Sequence, residues 1–144
     1  MQLERERTTA RIYAALPPKC LAARLPEEHL LLAVLSCFHH DTVRHAKALG
    51  AMRRLPAIEP PPVCLEAMQT VEREASPFPQ CVHALVSLEI ANADGWQALR
   101  DAASEHRLSW LADRAEEAAR DADRRWNTWT LWLCDHLARE AEEG

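Results

Sequence analysis

The sequence predicts an all-α protein folded as an antiparallel, up-and-down four-helix bundle. Three observations predict it. Glycine occurs only 3 times in 144 residues, while Ala, Leu, Glu and Arg, which lose little side-chain freedom in a helix, dominate. Apolar residues recur at intervals of three and four through most of the chain, and no segment alternates as a strand does. The 9 prolines gather at a few places, which divide the chain into helical lengths.

The first helix is expected from about Leu3 to Leu16, with Glu6, Ala10, Ile12, Tyr13 and Leu16 on one side. Pro17-Pro18 should end it. Pro26 opens the second, where a first turn tolerates it, and Glu27 and Glu28 suit the positive helix N-terminus. Leu30, Leu31, Val34, Cys37, Phe38, Asp41, Thr42, His45, Leu49 and Met52 form the inner stripe of this helix, which should end near Leu55. Pro56 to Pro62 holds four prolines in seven residues and reads as a connector. A shorter helix is expected over Val63 to Glu74, then a break at Pro77 and Pro79. Cys81, Leu85, Leu88, Glu89, Ala93, Trp96 and Leu99 mark the next long helix, up to about Ala103. Ser109 is placed to cap the last helix, which runs to about Glu142. Its inner stripe reads Leu111, Ala115, Ala119, Ala122, Trp126, Trp129, Leu133 and Leu137. The whole chain makes one domain: a hairpin over 1–55, the connector 56–62 and a hairpin over 63–144.

Composition excludes several function classes. A net charge of -5 does not suit a nucleic-acid-binding face. The N-terminus lacks the apolar core of a secretory signal, and the longest apolar run, Leu30 to Phe38, is too short to span a bilayer. Five cysteines without a C-x-x-C pair read as buried thiols of a cytoplasmic protein. There is no glycine-rich phosphate loop and no Ser/His/Asp or Cys/His nucleophile pattern, so no catalytic residue is assigned.

The two hairpins resemble each other. Glu6, Ala10, Tyr13, Ala15 and Leu16 align without gaps to Glu89, Ala93, Trp96, Ala98 and Leu99, 83 positions later. An acid, an alanine, an aromatic, an alanine and a leucine thus recur at fixed offsets. The repeat predicts a pseudo-two-fold bundle of two hairpins, neither of which can bury its apolar face alone.

With acids at inner positions, the chain resembles the ferritin-like superfamily, of the rubrerythrin and bacterioferritin type. That family places a Glu on each of two helices and Glu-x-x-His on each of the other two, around two metal ions. The resemblance implies a metal set of Glu6, His45, Glu89 and Asp123. It also implies damage. Thr42 stands where the acid before His45 belongs, and Trp126 stands where the second His belongs, in Asp123-Arg124-Arg125-Trp126. Trp126 should then point inward against His45 and plug the site. Iron remains a possible cofactor, but a metal-free core is the preferred expectation, because too few ligands remain for two ions. The resemblance therefore implies a non-catalytic interaction or structural protein, homodimeric through its Trp-bearing face, with an iron-binding oxidoreductase-like protein as the alternative.

Overall fold

The computed structural model describes residues 2–52 and 62–143. Five helices account for nearly all of them: α1 (Gln2–Ala22), α2 (Glu28–Met52), α3 (Pro62–Glu72), α4 (Phe78–Glu105) and α5 (Ser109–Glu143). The expected connector and the end of α2 near Leu55 lie outside the described residues, apart from Pro62, which opens α3. Among the described residues, no helix is long and apolar enough to cross a membrane.

Two proline signals act differently from the expectation. Pro17 and Pro18 lie inside α1, not at its end. They remove two backbone donors, yet Leu16 and Cys20 are fully buried on either side and hold the helix to the core. The Lys19 ammonium also donates to the Arg73 and Ser76 carbonyls, 2.7 Å each, fastening the last turn of α1 to the segment between α3 and α4. Pro79 falls in the first turn of α4, where no intrahelical donor is needed, and Pro77 occupies the cap position in extended conformation.

α4 ends in a Schellman turn. The Leu108 N–H reaches the Ala103 carbonyl at 2.8 Å and the Arg107 N–H reaches Ser104 at 3.1 Å. Arg107 takes the left-handed position, φ 57°, that glycine usually fills. Three residues thus reverse the chain from α4 into α5. Ser109 is the first residue of α5, and the Leu108 carbonyl accepts from Leu111 and Ala112.

Side-chain pairings fix the helix directions. Between α1 and α4, Glu6 meets Trp96 and Tyr13 meets Glu89. Between α4 and α5, Phe78 meets Trp132 and Glu89 meets Arg125. Between α2 and α5, Asp41 meets Arg124 and His45 meets Asp121, and Glu27, just before α2, meets Arg139. Each pair runs antiparallel. It follows that α2 and α4 run in the same direction. The four long helices therefore do not alternate in direction along the chain, as the expected up-and-down order requires. α3 packs on α1 and α4.

The apolar core lies mainly at one end. Ile12, Tyr13, Leu16, Leu35, Phe78, Leu85, Leu88 and Trp129 are among its fully buried members. A second cluster places Trp96 against Ala115, Ala118 and Ala119, small residues that let α4 and α5 approach closely. Burying each large side chain contributes about 1.5–3 kcal/mol. On α2 the inner stripe is Leu31, Leu35, Phe38, Thr42 and His45; Leu30 and Cys37, expected inside, are exposed. On α5 the stripe runs Ala115, Ala118, Ala122, Arg125, Trp129 and His136. Its C-terminal half is rotated from the expected Trp126, Leu133 and Leu137.

A buried carboxylate–arginine centre as candidate functional site

Between the two apolar clusters lies a polar layer supplied by four helices. α1 gives Glu6, Thr9 and Tyr13; α2 gives Thr42 and His45; α4 gives Glu89, Asn92 and Trp96; α5 gives Asp121 and Arg125. Asp121 is the most accessible of them, and all ten are buried.

Glu89 is the hub. Its carboxylate accepts from the Tyr13 hydroxyl at 2.7 Å, from Asn92 Nδ2 at 2.7 Å, and from Arg125 through both Nε and Nη2, the latter at 3.0 Å. A planar fork on a carboxylate is the strongest neutralising pair a protein offers a buried acid. Tyr13 in turn accepts from Trp129 Nε1 at 3.0 Å, and Asn92 also donates to Thr9 Oγ1 at 2.8 Å. Burial, with the Glu89 charge beside it, raises the Tyr13 hydroxyl well above its ordinary range, so it stays a donor.

Glu6 is less fully satisfied. Its Oε1 accepts from Trp96 Nε1 at 2.6 Å and lies 3.8 Å from Arg125 Nη2. Among the described residues its Oε2 has no hydrogen-bond partner. Burial pushes the Glu6 carboxyl up to about 7, against the opposing pull of Arg125. Arg125 itself is held in its charged form. Burial acts against that charge, but the Glu89 carboxylate, with Glu6 behind it, outweighs burial.

His45 forms a second, adjoining unit. Its Nε2 lies 2.7 Å from Asp121 Oδ2, so the ring carries its hydrogen there and donates. Asp121 also accepts from Arg44 at 3.2 Å and Arg124 at 3.1 Å. Burial lowers the His45 pKa despite Asp121. The imidazole packs edge-on against Trp96, centroids 5.8 Å apart.

The residues assigned from the sequence therefore divide. Glu6, His45 and Glu89 are brought into one buried layer. Asp123 is not; it is half-buried and accepts from Trp126 Nε1 on its own helix, at 2.9 Å. Trp126 is likewise half-buried and does not plug the layer. The reason is helical phase. Ala118, Ala122, Arg125 and Trp129 follow the three-and-four spacing that faces the core, which leaves Asp123 and Trp126 on the flank. Trp96 makes the indole-to-carboxylate bond expected of Trp126.

These residues do not fit a pair of iron ions. Among the described residues no three His, Cys, Asp or Glu side chains gather around one point. The ground between Glu6 and Glu89 is held by the Arg125 guanidinium, and a metal there would meet a fixed positive charge. The arrangement stores charge and fixes helix positions.

Sequence reasoning missed Arg125, Tyr13, Asn92 and Asp121. The repeat held one usable signal. Positions that align between the hairpins bond crosswise: Trp96 to Glu6, Tyr13 to Glu89, and Asn92 to its own counterpart, Thr9. Such reciprocity is what a local two-fold axis between α1 and α4 produces.

Comparison with protein-family models, with curated proteins and with solved structures finds no match.

Proposed function

We propose that this chain is a four-helix bundle of ferritin-like type, built from two similar hairpins, in which Arg125 stands where metal ions would otherwise neutralise the inner acids. On this reading it is a non-catalytic interaction or structural protein. The observation that carries it is the guanidinium fork on Glu89 with Glu6 at 3.8 Å. Crosswise bonding of aligned positions supports the duplicated hairpin. The shared direction of α2 and α4 supports a bundle with one long crossover, the arrangement of ferritin-like folds.

The proposal includes a homodimer, through less of the Trp-bearing face than the sequence implies. Trp129 is core and Trp132 packs against Phe78. The exposed apolar side chains left for a partner include Leu108, Trp110, Leu131 and Leu137.

The alternative is an iron-binding oxidoreductase-like protein, which requires Arg125 to leave the layer before Glu6, His45 and Glu89 could hold an ion. One observation favours it: Glu6 Oε2 and His45 Nδ1 are buried without partners among the described residues. Metal analysis of protein purified without a histidine tag decides between the two. The proposal expects substoichiometric metal and a melting temperature unmoved by ferrous iron or chelator. One tightly held iron per chain would overturn it. Light scattering on the eluting protein tests the dimer, and a monomeric mass would remove that part.

A further inference from the structure

On the outer side of the first hairpin, away from the buried acids, α1 and α2 leave a concavity of about 280 Å³. Its floor is small and apolar, from Ala10, Val43, Ala46 and Gly50, and Arg7, Arg11 and Lys47 stand around it. Arg7 and Arg11 are one helical turn apart, where like charges repel and weaken a helix. Arg7 is paired with Glu4 at 3.2 Å. Among the described residues, neither Arg11 nor Lys47 makes an ion pair. The groove thus carries three cations against one acid, in a protein whose net charge is -5.

We propose that this groove binds a phosphate monoester, its phosphoryl group held by Arg7, Arg11 and Lys47 and its organic part lying on Ala10, Val43 and Ala46. Charge selects the head group. The local excess of two positive charges matches the near-dianion of a phosphate monoester at neutral pH, whereas a carboxylate brings only one charge. Two guanidinium forks also suit the several oxygens of a phosphoryl group. The concavity is at the small end of ligand sites, so the organic part is short. At Gly50 an added Cβ would meet Arg7 Nη2 at an ordinary contact distance of 4.0 Å, so this edge of the groove is not crowded.

The probe is phenyl phosphate, titrated into isotope-labelled full-length protein and followed by amide chemical shifts. Saturable shifts confined to residues 7–11 and 43–50 are expected, with benzoate about tenfold weaker because it offers one charge and fewer acceptors. The double variant Arg11→Gln, Lys47→Gln changes only exposed side chains, and an unchanged melt will show that it folds. It should weaken phenyl phosphate about tenfold. Pelleting with phosphatidate vesicles, compared with neutral vesicles, assigns the phosphate to a lipid headgroup; binding of phenyl phosphate without pelleting assigns it to a free ester. Linear shifts with no pelleting, equal affinity for benzoate, or undiminished affinity in the double variant would each overturn the site.

Discussion

Replacing Arg125 by methionine tests the centre of the molecule directly. The side chain is fully buried, as are Glu6 and Glu89, so no water can take over the neutralisation. Methionine fills most of the volume and isolates the loss of charge. Glu89 keeps Tyr13 and Asn92 as donors but loses two charge-assisted bonds, and the two acids then face each other uncompensated. Removing one partner of a buried ion pair costs about 3–5 kcal/mol. For a domain of this size each kcal/mol moves the melting temperature by roughly 2–4 °C, so Arg125→Met should melt about 6–20 °C lower at pH 7.5. Circular dichroism melts, with urea titration for the free energy, provide the assay. Adding Glu6→Gln and Glu89→Gln should recover much of the loss, because neutral amides no longer need a counter-charge. A single variant within about 2 °C of the parent would refute the reasoning, since a ΔΔG of this size cannot hide in so small a shift. A triple variant as unstable as the single one would mean that shape, not charge, was lost.

Other predictions follow from the same layer and from the helix ends. The Glu6 carboxyl is raised from 4.5 to about 7, so the folded state binds its proton more tightly than the unfolded state does, and this contribution to stability is lost as pH rises from 4.5 through 7. The linkage is on the order of 3 kcal/mol for such a shift; Glu6→Gln should remove that slope, read as the difference in urea stability between variant and parent at pH 5.5 and 8. Because His45 is lowered from 6.5 and acts in the opposite sense below that pH, only the difference between the two proteins is diagnostic. Trp129→Ala should cost about 3–5 kcal/mol as a buried truncation, whereas the half-buried Trp126 should cost clearly less; equal costs in thermal melts would mean that the phase of α5 is misassigned. Arg107→Gly relieves a left-handed residue at an exposed turn and should raise stability by about 0.5–1 kcal/mol in the same melts, while a decrease would argue against the Schellman turn.

The sequence made the helices legible because their cause is local. Periodicity and composition marked all five, and the α4 stripe from Cys81 to Trp96 is buried as expected. Prolines were less informative than they looked, since Pro17, Pro18 and Pro79 sit inside helices whose burial or position outweighs the missing donor. The layer was legible only where a polar residue interrupted an apolar stripe, as Glu6, His45 and Glu89 do. Arg125 stayed hidden because nothing local distinguishes it from Arg124 beside it, and charged side chains ordinarily stay in solvent. Choosing the neighbouring tryptophan as the inner residue moved the phase by about 100°, the rotation of one residue. Once that angle was wrong, Asp123 and Trp126 followed it. Tyr13 was recognised as an aromatic of the repeat, but its hydroxyl chemistry depends on Glu89, which lies 76 residues away.

The reach of these bonds bears on how the chain folds. Tyr13 and Trp129 are joined across 116 residues, and Glu6 and Trp96 across 90. Helical proteins usually fold fast because their contacts are local, and closing such long loops costs entropy before any contact repays it. Each hairpin can zip up early, yet the first holds Glu6 without its cation and the second holds Arg125 without its second acid. Docking therefore completes the neutralisation, and it does so in one rotational setting of each helix. A misdocked pair that buries the same leucines still strands a charge. The ionic layer thus penalises greasy but misaligned packings of these helices that the hydrophobic effect alone would accept.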